Sequence, residues 1–226
     1  MELPKDEVSN NSKVPKDDIG LDEFIEIGKR YLIIPLGLLF VEIIYSILTS
    51  SQDTLAWIQE IVAKFWNKSN HMIYGKESST LSEYGDSGLM TKIELYNPNF
   101  PDIQNNTIDF YVSDECAGVH EMLFITTLIL LTPYISKKIK TWSIPIILVI
   151  VFCLNLLRLV LIYPLAASGC EKNPGVWGCD VRWEIFHDFV FEWGSLIILT
   201  IMWLIWFYIV NSAFFNNMFG ENSSEE

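Results

Sequence analysis

Three side chains suited to acyl-transfer chemistry stand near the ends of long apolar stretches: Cys116, Arg158 and His187. A free thiol titrates near about 8.5, and a helix N-terminus or a nearby cation lowers that value by several units. Cys116 stands directly before the apolar run that Ala117 and Gly118 open, where a helix terminus is expected, with His187 or Arg158 as the cation. An imidazole at His187 would hold the proton and later give it to a leaving amine. The permanently charged, planar fork of Arg158 would stabilise an oxyanion or clamp a carbonyl. Together these groups describe acyl transfer through a thioester. Each also has a plainer reading: a structural cysteine at a helix end, an arginine that snorkels to an interface, and a histidine capping a packed bundle.

The elements that would position them come from composition. Half of the 226 residues are hydrophobic, and they fall in blocks. A bilayer core of about 30 Å needs about 20 predominantly apolar residues per helix. Tyr31 to Thr49, Ala117 to Ile135, Trp142 to Tyr163 and Glu184 to Val210 are long enough by that measure. The expected fold class is therefore a membrane all-α helical bundle of about four transmembrane helices with a small β-containing extracellular cap. The first 29 residues are polar and lack the apolar core of a signal peptide, so the first stretch is expected to be a retained anchor.

Basic residues set the expected orientation. Lys29 and Arg30 precede the first stretch, and Lys137, Lys138 and Lys140 lie between the second and third. With both places cytoplasmic, the expected order is a cytoplasmic tail over 1–30 and a first span over 31–49. An interfacial helix and extracellular cap over 50–115 follow, then catalytic spans over 116–210 with an outer loop over 164–183. A cytoplasmic acidic tail over 211–226 completes the order. The expected localisation is the cell membrane, multi-pass, with the site at the outer face. Successive spans alternate in direction, which brings Cys116, Arg158 and His187 to one outer level. Ionisable groups at such depth are costly and are functional candidates by default.

Within the outer segment, Leu55, Ile58, Ile61, Val62 and Phe65 recur at helical spacing behind Ser51 to Asp53. This pattern suits an amphipathic helix in the interface, or an extension of the first span packed on the outer segment. Thr91 to Tyr96 and Thr107 to Val112 read as short strands. Cys170 and Cys179 share the outer loop, where an oxidising exterior favours a disulfide closing a short loop around Pro174 and Gly175. Cys153 reads as a small apolar filler.

His120 is the rival base, four residues after Cys116 on one helical face. Glu184 and Asp188 flank His187, and either can orient its ring; Glu42 stands alone within the first stretch, with its role open. The net charge of −13 argues against nucleic-acid binding. A metal-dependent membrane protease would want H-E-x-x-H, whereas His120-Glu121 has no second histidine four residues on. No metal and no cofactor are expected. A thiol oxidoreductase would want C-x-x-C, which is absent. A non-catalytic scaffold or channel is the remaining alternative, and Cys116→Ala separates it from an enzyme.

The motifs add a family resemblance. Asp114-Glu115-Cys116-Ala117-Gly118 at the head of an apolar helix resembles the Cys motif of the exosortase/archaeosortase family. Asn155-Leu156-Leu157-Arg158 resembles its Asn-x-x-Arg motif, and Phe186-His187-Asp188, followed by Gly194, its third motif. The resemblance covers residues 110 to 200. It implies a membrane cysteine protease/transpeptidase with Cys116 as nucleophile, Arg158 as stabiliser and His187 as acid/base. The implied substrates are exported proteins bearing a C-terminal motif, a transmembrane helix and a basic tail. The implied acceptor of the new C-terminus is a membrane lipid. The long segment before Cys116 and the small number of apolar stretches depart from the family pattern.

Overall fold

Alternation along residues 89–96 organises the middle of the chain. Thr91, Ile93 and Leu95 are fully buried, while Lys92 and Glu94 face outward and pair at 2.8 Å. A strand buries every second residue on one face, so this run lies as a strand over a core. The computed structural model describes residues 25–26, 28–29, 31–50, 54–85, 88–98, 100, 106–172 and 182–212. Strand β1 is Ser79–Tyr84, β2 is Leu89–Tyr96 and β3 is Thr107–Tyr111. They form an antiparallel sheet in the order β1-β2-β3, with Ser79 opposite Leu95 and Ile93 opposite Phe110.

Helix α1 spans Ile33–Leu48 and α2 spans Ala56–Tyr74. After the sheet come α3, Val119–Leu131, and α4, Lys137–Lys172. Last are α5, Arg182–Phe189, a π-helical turn at Val190–Gly194, and α6, Ser195–Asn211. Val62, Ala63 and Trp66 of α2 pack with Ile93 and Leu95 of the sheet and with Leu159, Ile162 and Ala166 of α4. The opposite face of α2 exposes Trp57, Phe65 and Met72. His71 Nε2 meets the Ser79 carbonyl at 2.6 Å, and the Tyr163 hydroxyl donates to the Tyr96 carbonyl at 3.2 Å, so both helices are tied to the sheet. A second core joins Ile125 and Ile129 of α3, Ile147 and Val151 of α4, and Leu199 and Trp206 of α6. Helix α4 runs through both cores, and Asn155 and Arg158 lie where one gives way to the other.

The expected all-α bundle of about four transmembrane helices is corrected by this architecture. The fold is mixed α/β: among the described residues, the six α-helices named above accompany a three-stranded sheet. Among the described residues only α4 is long and apolar enough to cross a membrane. Helices α1, α3 and α6 have 16, 13 and 17 residues. At 1.5 Å per residue they reach roughly 20 to 26 Å, against about 30 Å of hydrocarbon. Local chemistry shortens them. Gly118 starts α3 in a left-handed conformation, and Pro133 with the positive φ of Tyr134 follows its end. The stretch expected as one span from Glu184 carries the π turn between α5 and α6, and the backbone stays helical on both sides of it. Conversely α4 overruns the expected Trp142 to Tyr163, because its C-terminal half has the sheet and α2 to pack against.

Candidate functional site

The turn between β3 and α3 is pinned from two sides before it presents its thiol. The Asp114 carboxylate accepts from the Gln59 side chain at 2.8 Å, the Leu55 backbone N–H at 3.1 Å and the Thr54 hydroxyl at 3.3 Å. The Tyr45 hydroxyl of α1 donates to the Asp114 carbonyl at 3.3 Å. Three donors on one buried carboxylate fix the turn's orientation against the start of α2. The backbone N–H of Cys116 donates to Ser113 Oγ at 3.3 Å, and Asn155 Nδ2 donates to the Cys116 carbonyl at 3.0 Å. Gly118 then turns the chain with φ +76°. That conformation is one that L side chains rarely adopt.

The cysteine so held meets His187 of α5: Sγ and Nε2 are 3.7 Å apart. The other face of the ring's contact on α5 is Asp188, whose Oδ1 lies 3.5 Å from Nδ1, the far limit of a hydrogen bond. Burial pushes the Cys116 thiol up, but hydrogen bonds with His187 and Ser113 and the charges of His187 and Arg158 outweigh it, and its pKa falls. The His187 pKa rises because the hydrogen bond to Cys116 and the thiolate's charge exceed the opposing effects of burial and Arg158, with Asp188 adding a little. Opposite shifts on touching partners favour a thiolate–imidazolium pair. The π turn begins at Val190, three residues after His187, and such local distortions are frequent at functional sites.

Arg158 is 5% exposed, and its Nη1 stands 3.9 Å from Glu121 Oε1. That is a long ion pair, and the Nε and Nη2 atoms of Arg158 and Oε2 of Glu121 are buried without hydrogen-bond partners. Burying a guanidinium with two nitrogens unpartnered costs several kcal/mol by general estimates. Asn155, Arg158 and Glu121 line a cavity of about 50 Å³ with Val190 and Ser195.

Cys116, His187 and Asn155 are in contact at one site with Asp188 at its edge, and the charge of Arg158 is felt by both Cys116 and His187. His120 does not reach the thiol: its Nε2 lies 2.6 Å from Glu42 Oε2. Glu184 is exposed one turn before His187. Cys170 is fully buried and disulfide-bonded, while its expected partner Cys179 lies outside the described residues. Cys153 is a free, exposed thiol on α4. Sequence reasoning missed Ser113, the anchoring role of Asp114, and Glu121 as the partner of Arg158. The first two were within reach, since Ser and Asp favour turns through side-chain bonds to nearby backbone. No group of three or more His, Cys, Asp or Glu among the described residues could hold a metal ion. No family model, curated protein or solved structure matches the chain.

Proposed function

We infer that the chain is a membrane cysteine transpeptidase that cleaves exported proteins near a C-terminal sorting signal and passes the new C-terminus to an acceptor. The observation that carries this reading is the Cys116–His187 pair at 3.7 Å beside a buried arginine with two uncommitted donors. A thiolate attacks the scissile carbonyl, and Arg158 offers its free donors to the oxyanion. The imidazolium gives its proton to the leaving amine, which leaves an acyl group on Cys116 and a neutral His187. The acceptor then attacks the acyl carbon as His187 takes its proton, the C–S bond breaks, and the thiolate–imidazolium pair is restored. The resemblance of the three motifs to the exosortase/archaeosortase family favours a C-terminal signal of motif, apolar helix and basic tail, and a membrane lipid as acceptor.

Helix α4 supports a membrane location. Eighteen residues separate Lys140 from Arg158, roughly 27 Å of helix, close to the thickness of the hydrocarbon core. In this reading Lys137, Lys138 and Lys140 mark the cytoplasmic boundary, Arg158 falls near the outer one, and the rest of α4 continues beneath the sheet. Ile146, Val149 and Leu157 of α4 are exposed on its surface, as are Leu36 and Phe40 of α1 and Leu204 and Tyr208 of α6. An apolar surface of that kind suits lipid contact.

The test is processing. A reporter bearing a C-terminal motif, apolar helix and basic tail from the same organism is co-expressed with the chain, and its C-terminus is sized by mass. Cleavage and an added acceptor mass are expected with the native chain, and full-length reporter with Cys116→Ala or His187→Ala at equal membrane abundance. Cleavage that persists in Cys116→Ala contradicts the reading.

A further inference from the structure

A cavity of about 340 Å³ opens beside the Cys116 turn, lined by Glu42, Tyr45, Glu115, His120, Glu121 and Ser195. Three carboxylates face it; among the described residues no lysine or arginine lines it, and Arg158 behind Glu121 offsets one of the three charges. Glu121 is 93% buried by its 7% exposure, and its Oε2 has no hydrogen-bond partner although it borders this cavity as well as the smaller one at Arg158. Glu115 adjoins the nucleophile in the chain. The surplus of negative charge selects a cationic visitor.

Proton counting says what such a visitor would need. If an ammonium group, R–NH₃⁺, becomes an amide N–H by attacking the thioester on Cys116, it must lose two protons. At that stage His187 is neutral and can accept one, which restores the thiolate–imidazolium pair. The other needs a second base. His120 borders the cavity with Nε2 at 2.6 Å from the Glu42 carboxylate, and Tyr45 packs against its ring at a centroid distance of 4.9 Å. A carboxylate behind an imidazole fixes the ring and stabilises the imidazolium that forms.

Resting on the transpeptidase reading, we propose that this acidic cavity is the acceptor pocket, that its ligand is a protonated primary amine, and that His120 backed by Glu42 is the base that takes the first proton. The amine nitrogen then attacks the acyl carbon, the C–N bond forms, the C–S bond breaks, and the second proton passes to His187. One histidine serves cleavage and the other serves transfer.

The experiment partitions the acyl-enzyme among competing nucleophiles. The full chain in membranes is acylated by substrate in water with either ethylamine, which arrives as a cation, or hydroxylamine, which arrives neutral and needs only one proton removed. Products are separated by mass and expressed as ratios of transfer to hydrolysis. In His120→Ala the ethylamine ratio is expected to fall about a hundredfold relative to the hydroxylamine ratio, the scale of lost general-base catalysis. Glu42→Gln is expected to move it the same way and guards against misfolding of the first variant. Equal effects on both nucleophiles, or no effect on either, overturn the acceptor pocket while leaving the transpeptidase standing. Failure to form any acyl-enzyme overturns both.

Discussion

Gly118 and Asn155 approach so closely that a Cβ on the glycine would stand 2.8 Å from the asparagine Nδ2. Real Cβ atoms do not tolerate that separation, and the glycine's φ of +76° is itself strained for any other residue. The gap left by the missing Cβ admits the amide that holds the Cys116 carbonyl at 3.0 Å. One glycine thus sets both the direction in which α3 departs and the distance between the nucleophile's turn and α4.

Gly118→Ala is therefore expected to lower stability by about 1–3 kcal/mol, from backbone strain and the displaced asparagine. Thermal unfolding of the purified chain in detergent measures it. Stability equal to the native chain's would show that the turn relaxes freely, contrary to its pinning by Asp114.

The opposite shifts of Cys116 and His187 give a sign to pH dependence. Cys116 is depressed, so its thiolate persists below the ordinary thiol range, and alkylation by iodoacetamide should reach half-maximal rate below about pH 8.5. In His187→Ala the hydrogen bond and the cation are gone, burial gains weight, and the midpoint should move up. Identical profiles in the two proteins would contradict the pairing.

Arg158→Lys keeps the charge and loses the planar fork. Processing should fall about 10²–10³-fold, as for loss of one oxyanion donor. The alkylation midpoint of Cys116 should stay close to the native value, because the cation remains. Near-native processing by the lysine variant would mean that Arg158 contributes charge alone.

Cys170, buried in the core under the sheet, should appear in non-reducing digests as one peptide linked to Cys179. Recovery of both thiols free from the native protein would remove the bridge and with it the support it lends to an oxidising environment at that end of α4.

The sequence carried the site further than it carried the fold. Cys116, Arg158 and His187 were legible as candidates because each is an ionisable or nucleophilic group placed against apolar residues, and the structure puts Cys116 in contact with His187, within reach of the charge of Arg158. Strands β2 and β3 were legible through alternation and β-branched residues. β1 was not, since Ser79–Tyr84 has few apolar residues and gains its place by pairing with β2. The four-span bundle failed because hydropathy measures apolar length and is blind to what ends a helix. Gly118 and Pro133 bound α3 at 13 residues, the π turn distorts the helix after His187, and a core beneath the sheet extended α4 beyond its apolar run. His120 was placed near Cys116 by helical spacing alone, and a long-range partner, Glu42, turned it elsewhere.

The most direct measurement is the mass of the intact chain during turnover with a substrate carrying a C-terminal signal. The expected result is a transient species heavier by the acyl fragment, located on the Cys116 peptide, released by hydroxylamine and absent from Cys116→Ala. Processing without any such adduct, or an adduct at Cys153 instead, would contradict a thioester on Cys116.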